Sequence, residues 1–479
     1  MKKLYFCSSF KTASHATKSF ARVLVAVVTS TILLACGGGG GGVDALAPGS
    51  APVSGSSGFA EPGTPTVSSE SSVSTTISPN GIAPNIPAGN GAGPATLLPT
   101  GTGGSTPTAS VMLTTTFALQ VSELNSGLQS PWGLAFLPDG RMLVTEKGGT
   151  LKLLNADGKT AGNVTGVPAV NSVAQGGLLD VVIDPAFSGN QQIYMTFAES
   201  DSRDASLNGT AVVRARLDTS ARALSEVTVI YRQLPKVASS GHFGSRLVFD
   251  KSGHLFVTLG DRQLDAQQKF AQDLTRGNGK VVRITTNGAP APNNPGFGSA
   301  SAQAGIWSFG HRNPQGAAVH PVTGELWISE HGPQGGDEIN RVQAGKNYGW
   351  PTVSYGQEYG TTTQVGEGTS KAGLEEPVSV WLTRDGSAYT GGAKSSIAPS
   401  GLVIYSASKF PEFNGNIFTG ALAGTALWRV VLGGANGRTE IFRERLLAGR
   451  GERIRDVREG TDGWIYLLTD SGKLLRVSR

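Results

Sequence analysis

Cysteine is almost missing from this chain: of 479 residues, only Cys7 and Cys36 are thiols, both near the N-terminus. The remaining length therefore holds no disulfide framework, cysteine nucleophile or thiolate metal site, and no C-x-x-C-H haem-attachment motif. Charge is sparse, at 16% Asp, Glu, Lys and Arg. No G-x-G-x-x-G stands between a strand and a helix, and no alternating βα pattern appears, which argues against nicotinamide and flavin folds. Long apolar runs are few. Glycine, by contrast, is abundant, with 67 residues. Many short strands joined by tight turns fit such a composition better than helices do.

The formal charge of +5 has a local origin. The first 35 residues hold Lys2, Lys3, Lys11, Lys18 and Arg22 and no acid, so they account for the whole excess. Nothing remains to attract nucleic acid. The basic stretch leads into an apolar one, Val23 to Ala35. That is shorter than the ~20 residues a bilayer requires and suits the h-region of a signal peptide. It ends Leu33-Leu34-Ala35-Cys36, which looks like a bacterial lipobox with Cys36 as the acylated residue. We expect a signal peptide over 1–35 and a lipid-anchored protein on the periplasmic side of the envelope. Gly37 after the cysteine favours the outer membrane. Residues 36–115 are Gly, Ser, Pro, Thr and Ala with almost no charge. Such a segment cannot bury enough apolar surface to offset its ordering entropy, and we expect a disordered tether.

From there, 116–479 reads as one folded domain that repeats itself. An apolar strand, a glycine-bearing turn and a second apolar strand recur at 134–146, 181–197, 247–261, 317–330, 402–422 and 456–470. Asp-Gly, Ser-Gly, Thr-Gly or Asn-Gly between alternating runs marks a hairpin. Six copies at about 60 residues each predict an all-β, six-bladed β-propeller of four-stranded antiparallel blades. A pair of β-sandwiches would need no such period. In a propeller, loops from several blades gather at one mouth of the channel.

Five polar, glycine-rich clusters are candidates for that mouth. Gln175-Gly176-Gly177 leads into a repeat strand and offers a side chain that both donates and accepts. His242 lies in Gly241-His242-Phe243-Gly244, an accessible setting for the commonest general base; His254 and His320 sit within repeat hairpins, where structural roles suffice. Arg312 and Asn313, in Gly310-His311-Arg312-Asn313-Pro314, present fixed donors suited to carboxylates. The loop from Glu330 through Gly332, Pro333 and Asp337 to Glu338, followed by Tyr348, can expose several oxygens to a hard cation such as calcium. Arg453 and Arg455 alternate on a strand, so their guanidinium groups share a face suited to a polycarboxylate. Each cluster also has a plain structural reading.

Taken in order, QGGLLD, GHFGSRLVF, GHRNPQG, EHGPQGGDEIN with NYGWP, and RIRDV resemble the glucose/sorbosone dehydrogenase family over Trp132 to Val477. The similarity is stronger to its PQQ-dependent aldose sugar dehydrogenases than to its soluble glucose dehydrogenases. It implies oxidation of an aldose at the anomeric carbon to the lactone. His242 would be the base, with Arg312 beside it among the catalytic groups. Gln175, Arg312, Asn313, Tyr359, Arg453 and Arg455 would line the pyrroloquinoline quinone (PQQ) pocket. The carbonyls of Gly332 and Pro333 would ligate the Ca2+ on PQQ, and Glu338 with the Tyr348 carbonyl a second Ca2+. Partners would be the sugar, a separate electron acceptor and, through Cys36, the membrane. Two departures stand out. Gly241 replaces the aspartate that glucose dehydrogenases place before the histidine, so nothing adjacent in sequence orients His242. Ala423 stands where relatives direct a Lys or Arg to the cofactor.

The chemistry coheres without the resemblance: a polycarboxylate quinone calls for arginines and a cation, and the protein then needs a base and orientation. Two other readings are a calcium-dependent propeller lactonase and a non-catalytic, envelope-anchored binding module. The first leaves the paired arginines without a task, and the second gives the five loops no reason to converge.

Overall fold

The computed structural model describes residues 119–479. The signal peptide, the lipobox at Cys36 and the tether read from the sequence lie outside these residues. Six four-stranded antiparallel sheets make up the described chain. Their innermost strands are Pro131–Phe136, Leu178–Ile183, Leu247–Phe249, Pro314–Val319, Pro399–Ile404 and Ile454–Glu459, and each packs beside its neighbours around an axis. All six sequence repeats fall on the first and second strands of a blade. The turn glycines Gly140, Gly253, Gly324, Gly415 and Gly463 take positive φ, as hairpin turns there require. The second repeat differs. Phe187–Asn190 forms one helical turn, and Gln191, not Gly189, adopts the left-handed conformation. Among the described residues, no helix is long and apolar enough to cross a membrane.

The ring is closed by backbone hydrogen bonds. Gln120–Asn125 pairs antiparallel with Leu474–Ser478, so the first described strand completes the last blade. This leaves no gap between first and last sheets. The core lies between blades, where sheet faces meet. Leu143, Leu151 and Leu153 of the first blade pack with Val181, Ile193, Met195 and Val213 of the second. Each such side chain contributes about 1.5–3 kcal/mol when fully buried.

A buried hydroxyl on the second strand of a blade also reaches the next blade. Thr145 donates to the Leu179 carbonyl, Thr196 to Ser245 at 2.7 Å, Thr258 to Pro314 at 2.9 Å and Ser329 to Ser400 at 2.8 Å. Between the fifth and sixth blades the donor is Ser400, to the Ile454 carbonyl at 2.6 Å.

Charged side chains fill the axis. Arg246 Nη1 lies 2.9 Å from Asp180 and 3.1 Å from Asp456, and Arg458 lies 2.7 Å and 2.9 Å from the same carboxylates. The carboxylates also accept the backbone N–H groups of Leu134 and Leu247. Glycines make the room: a Cβ at Gly133 would sit 2.8 Å from Asp180 Oδ1, and one at Gly401 2.1 Å from Asp456 Oδ1. Two acids and two bases cancel, as buried charges must.

Candidate active site

In an antiparallel blade, the turn between the second and third strands and the connector to the next blade leave from the same end. His242, Gln175, Arg312 and Arg453 lie on blade connectors, and Lys147, Asp261, His331 and Asp470 on second-to-third turns. One mouth therefore collects them all. The segment 343–378 joins the third and fourth strands of the fourth blade, which starts it at the opposite end. It climbs along the third blade, pairing Asn347 with Phe309, and brings Trp350 and Tyr359 to the mouth.

His242 sits in a taut loop. Its φ is 46°, a conformation that costs a non-glycine residue energy and must be held by its surroundings. The holders are identifiable. Gln175 Oε1 accepts the His242 N–H at 2.9 Å, Arg262 Nε donates to the Gly241 carbonyl at 3.0 Å, and Asn313 Oδ1 accepts the Gly244 N–H at 3.2 Å. Behind the loop, a Cβ on Gly260 would lie 2.1 Å from the His242 carbonyl, so only glycine fits.

The side chain that orients His242 is Asp261. Its Oδ1 lies 2.7 Å from His242 Nδ1. The carboxylate also accepts the Gln263 N–H at 2.7 Å and the Trp350 indole N–H at 2.8 Å. Burial works to raise the Asp261 carboxyl, but His242, Arg312 and the Gln263 N–H hold it below the usual value. Burial, then Arg312, pushes the His242 imidazole below 6.5, with Asp261 opposing. An ionised Asp261 accepts from Nδ1–H and leaves Nε2 of a neutral imidazole as the basic nitrogen. The expectation that nothing adjacent in sequence orients His242 stands; the carboxylate comes from the following turn. In the space beside Gly241 lies Gln263, whose Oε1 would be 1.7 Å from a Cβ there.

Arg312 is fixed along its length. Its N–H donates to Glu330, its carbonyl accepts the Asp261 N–H at 2.8 Å, and Nη1 donates to the carbonyls of His331 and Gly332 at 3.2 Å and 2.6 Å. Nη2 donates to the hydroxyl of Tyr359, which is 65% exposed at the rim. Nε of Arg312 and Nδ2 of Asn313 are buried without a partner. Orphaned donors on a site wall fit an acceptor-rich ligand, and quinone and carboxylate oxygens supply such acceptors.

Arg453 and Arg455 converge on Asp470, each through Nε at 2.9 Å. Arg455 also donates to Gln315 Oε1 at 3.0 Å. Arg455 is the partly buried member and Arg453 the exposed one, at 13% and 49% side-chain exposure. His331 feels His242, Arg312 and Arg455 together; burial first, then these neighbours, pushes it down to about 3. Lys147, half-buried and bonded to the Ala174 carbonyl, stands near Arg455 and Asp470. Ala423 lines a surface pocket with Arg384 and Arg445, so basic groups from other segments stand around it.

A second cavity lies beside Arg312. Gly332, Glu338 and Tyr348 line it together with Glu330 and Trp350, whereas Pro333 does not. Asn340 Nδ2 bridges Glu330 at 2.8 Å and Glu338 at 3.1 Å. Burial, then Glu330, raises the Glu338 carboxyl well above its ordinary value. Two carboxylates lining one pocket fit a hard cation. Among the described residues, no group of three or more His, Cys, Asp and Glu could hold a metal. A cation here would depend largely on backbone carbonyls.

The structure thus joins Gln175, His242, Arg312, Asn313, Tyr359 and Arg455 at one mouth, with Arg453 at its edge and Gly332, Glu338 and Tyr348 behind. The sequence reading missed Lys147, Asp261, His331 and Trp350. No local pattern marked Asp261: Glu146, Glu330 and Asp470 directly follow a buried Thr or Ser where a second strand ends, but Asp261 stands three residues past Thr258.

Comparisons with known proteins show the family. The family model described as Glucose / Sorbosone dehydrogenase matches residues 128–476. The aldose sugar dehydrogenase YliI of Escherichia coli (strain K12) is 42% identical over 364 residues, covering 75% of this chain and 93% of that protein. The solved apo-form of the soluble aldose sugar dehydrogenase from Escherichia coli superposes with a TM-score of 0.68 at 41% identity, covering 75% of this chain and 99% of that one. The PQQ-bound aldose sugar dehydrogenase of Streptomyces coelicolor gives 0.59 at 27% identity, with 75% and 98% covered. This chain belongs to the glucose/sorbosone dehydrogenase family.

Proposed function

We propose that this protein oxidises an aldose at the anomeric carbon to the lactone, using PQQ and Ca2+. The observation that carries the reading is the His242–Asp261 pair, set 2.7 Å apart among Arg312, His331 and Arg455. A buried neutral imidazole, backed by an ionised carboxylate, is a general base poised to take a hydroxyl proton. His242 Nε2 receives the proton of the anomeric hydroxyl, and Asp261 stabilises the imidazolium that results. Arg312, through its free Nε, and Asn313, through its free Nδ2, hold acceptor oxygens in the site. Arg455 and Arg453 offer charge to carboxylates, in exchange for part of their bonding to Asp470.

PQQ supplies the two-electron acceptor for the hydride leaving the sugar carbon. Ca2+ is a Lewis acid for a quinone oxygen. For the cation beside PQQ the candidate donors are the Gly332 and Pro333 carbonyls; for a second cation they are Glu338 and the Tyr348 carbonyl. The PQQ-bound Streptomyces coelicolor relative supports the cofactor, and the aldose sugar dehydrogenase relatives support the substrate class. An electron acceptor outside this chain would be the remaining partner. We place the protein on the periplasmic side of the outer membrane, held by lipid on Cys36; incorporation of labelled fatty acid, abolished in Cys36→Ser, tests that placement.

The enzymatic test is dye reduction by the purified protein with a panel of aldoses, with PQQ and Ca2+ each added or withheld. The reading requires activity that needs both. Lactone cleavage that needs Ca2+ alone would overturn it in favour of a lactonase, and no turnover in any combination would leave a binding module.

A further inference from the structure

Trp350 is buried, yet it touches two residues of the mouth, Asp261 and Arg312. Its indole N–H donates to Asp261 Oδ2 at 2.8 Å, while Oδ1 meets His242 Nδ1 at 2.7 Å. The face of the same indole lies 5.1 Å from the Arg312 guanidinium carbon, within range of a cation–π attraction. The indole is itself anchored. The Trp350 N–H donates to the Gly310 carbonyl at 2.9 Å, its carbonyl accepts from Gln272 Nε2 at 2.7 Å, and its ring packs with Ala271 and Val365.

A carboxylate turns readily about its terminal torsion, which is broad and two-fold. Donors on Oδ1 alone leave that rotation loose. Here the Gln263 N–H and His242 take Oδ1, and Trp350 is the donor on Oδ2. The plane of the carboxylate is therefore set by the indole, and the imidazole reads that plane through Nδ1. Breaking the indole bond also leaves a buried oxygen unsatisfied, which makes the rearranged state costly rather than neutral.

We propose that Trp350 is a positioning residue: its indole N–H locks the Asp261 carboxylate in the plane that holds His242 as the Nδ1–H tautomer, while its face holds Arg312 over the same site. This rests on His242 being the base of the proposed reaction. It makes 343–378, the segment that climbs from the opposite end of the fourth blade, part of the catalytic apparatus.

The test is 15N spectroscopy of histidine-labelled full-length protein without cofactor or sugar, comparing wild type, Trp350→Phe and Asp261→Asn, with His242 assigned through His242→Gln. A second replacement at 350, benzothienylalanine, keeps the shape of the indole and removes only its N–H. We expect the Nδ1–H tautomer in wild type and mixed tautomers at His242 alone in both 350 variants. In the loaded enzyme, kcat should fall about tenfold with KM little changed, and by less than about twofold when Asp261 is already Asn. Unchanged His242 signals, or signals of all histidines moving together, would overturn the proposal. A shift at His242 in a protein that never oxidises a sugar would sustain the role of Trp350 and overturn the redox reading.

Discussion

Asp261 and His242 are separated by nineteen residues and joined by a 2.7 Å contact between Oδ1 and Nδ1. The contact links a blade connector to the next hairpin turn and defines which imidazole nitrogen is basic. Asp261→Asn keeps the shape and removes the charge. It should lower kcat by about 10²- to 10⁴-fold, the range over which a positioned base contributes. In wild type, kcat/KM should climb as His242 loses its proton, with a midpoint below the ordinary 6.5 because burial and Arg312 disfavour the charged ring. Since Asp261 opposes that shift, the midpoint in Asp261→Asn should move further to acid. A pH–rate profile of both proteins checks this.

The axial charges make a stability prediction independent of any activity. Asp180→Ala leaves Arg246 and Arg458 short of a buried partner and should cost about 3–5 kcal/mol in urea unfolding. Gly401→Ala pushes a methyl to 2.1 Å from Asp456 Oδ1 and should cost about 1–3 kcal/mol by overpacking. Losses under about 0.5 kcal/mol in both, the level of an ordinary surface change, would mean that the axis tolerates what its geometry forbids.

Lys280 is buried and donates to the carbonyls of Phe270, Ala271 and Asn278. Burial pushes its ammonium from 10.5 down to about 7. The folded chain therefore releases this proton near neutrality, whereas the unfolded chain holds it until pH 10.5. Stability from this group is complete above 10.5 and is lost as pH falls through about 7. Between those values, stability of wild type relative to Lys280→Met should rise with pH by up to about 1.4 kcal/mol per unit. A flat difference across that window would show that the three carbonyls keep the lysine charged.

Cation binding beside Glu338 should be visible as heat resistance. Ca2+ bound to the folded state alone raises the melting temperature, with the logarithm of its concentration once that exceeds the dissociation constant. The full-length protein should melt higher in Ca2+ than in chelator, and Glu338→Gln should lose most of that gain. An equal shift in wild type and variant would remove Glu338 from the cation site.

The propeller was legible because each blade announces itself at one place, the turn between its first and second strands. The outer strands Lys280–Ile284 and Ile306–Phe309 carry no comparable mark. Ring closure by Gln120 against Ser478 joins the two ends of the described chain, beyond the reach of any local pattern. At the mouth, four of the five glycine-rich loops were readable since each precedes a repeat, and the fifth, after Glu330, by its run of glycines. The other second-to-third turns were not, because an acid just past a strand, such as Asp261, looks like an ordinary turn residue until its partner is seen. Trp350 stood in the NYGWP string, but nothing there showed its role, as its carboxylate lies 89 residues away. The same motifs also proved to hold two kinds of residue: Asp180, Arg246 and Asp456 serve the axis, while Gln175, His242 and Arg455 serve the mouth. The N-terminal readings concern residues outside those described.

The most direct measurement is the rate at which an aldose reduces PQQ bound to this protein in a single turnover, followed by absorbance, for wild type and His242→Gln at matched occupancy. The account predicts rapid reduction in wild type and a loss of at least about a hundredfold in the variant, with PQQ still bound. Equal rates in the two proteins, or PQQ that binds but is never reduced by any aldose in wild type, would contradict it.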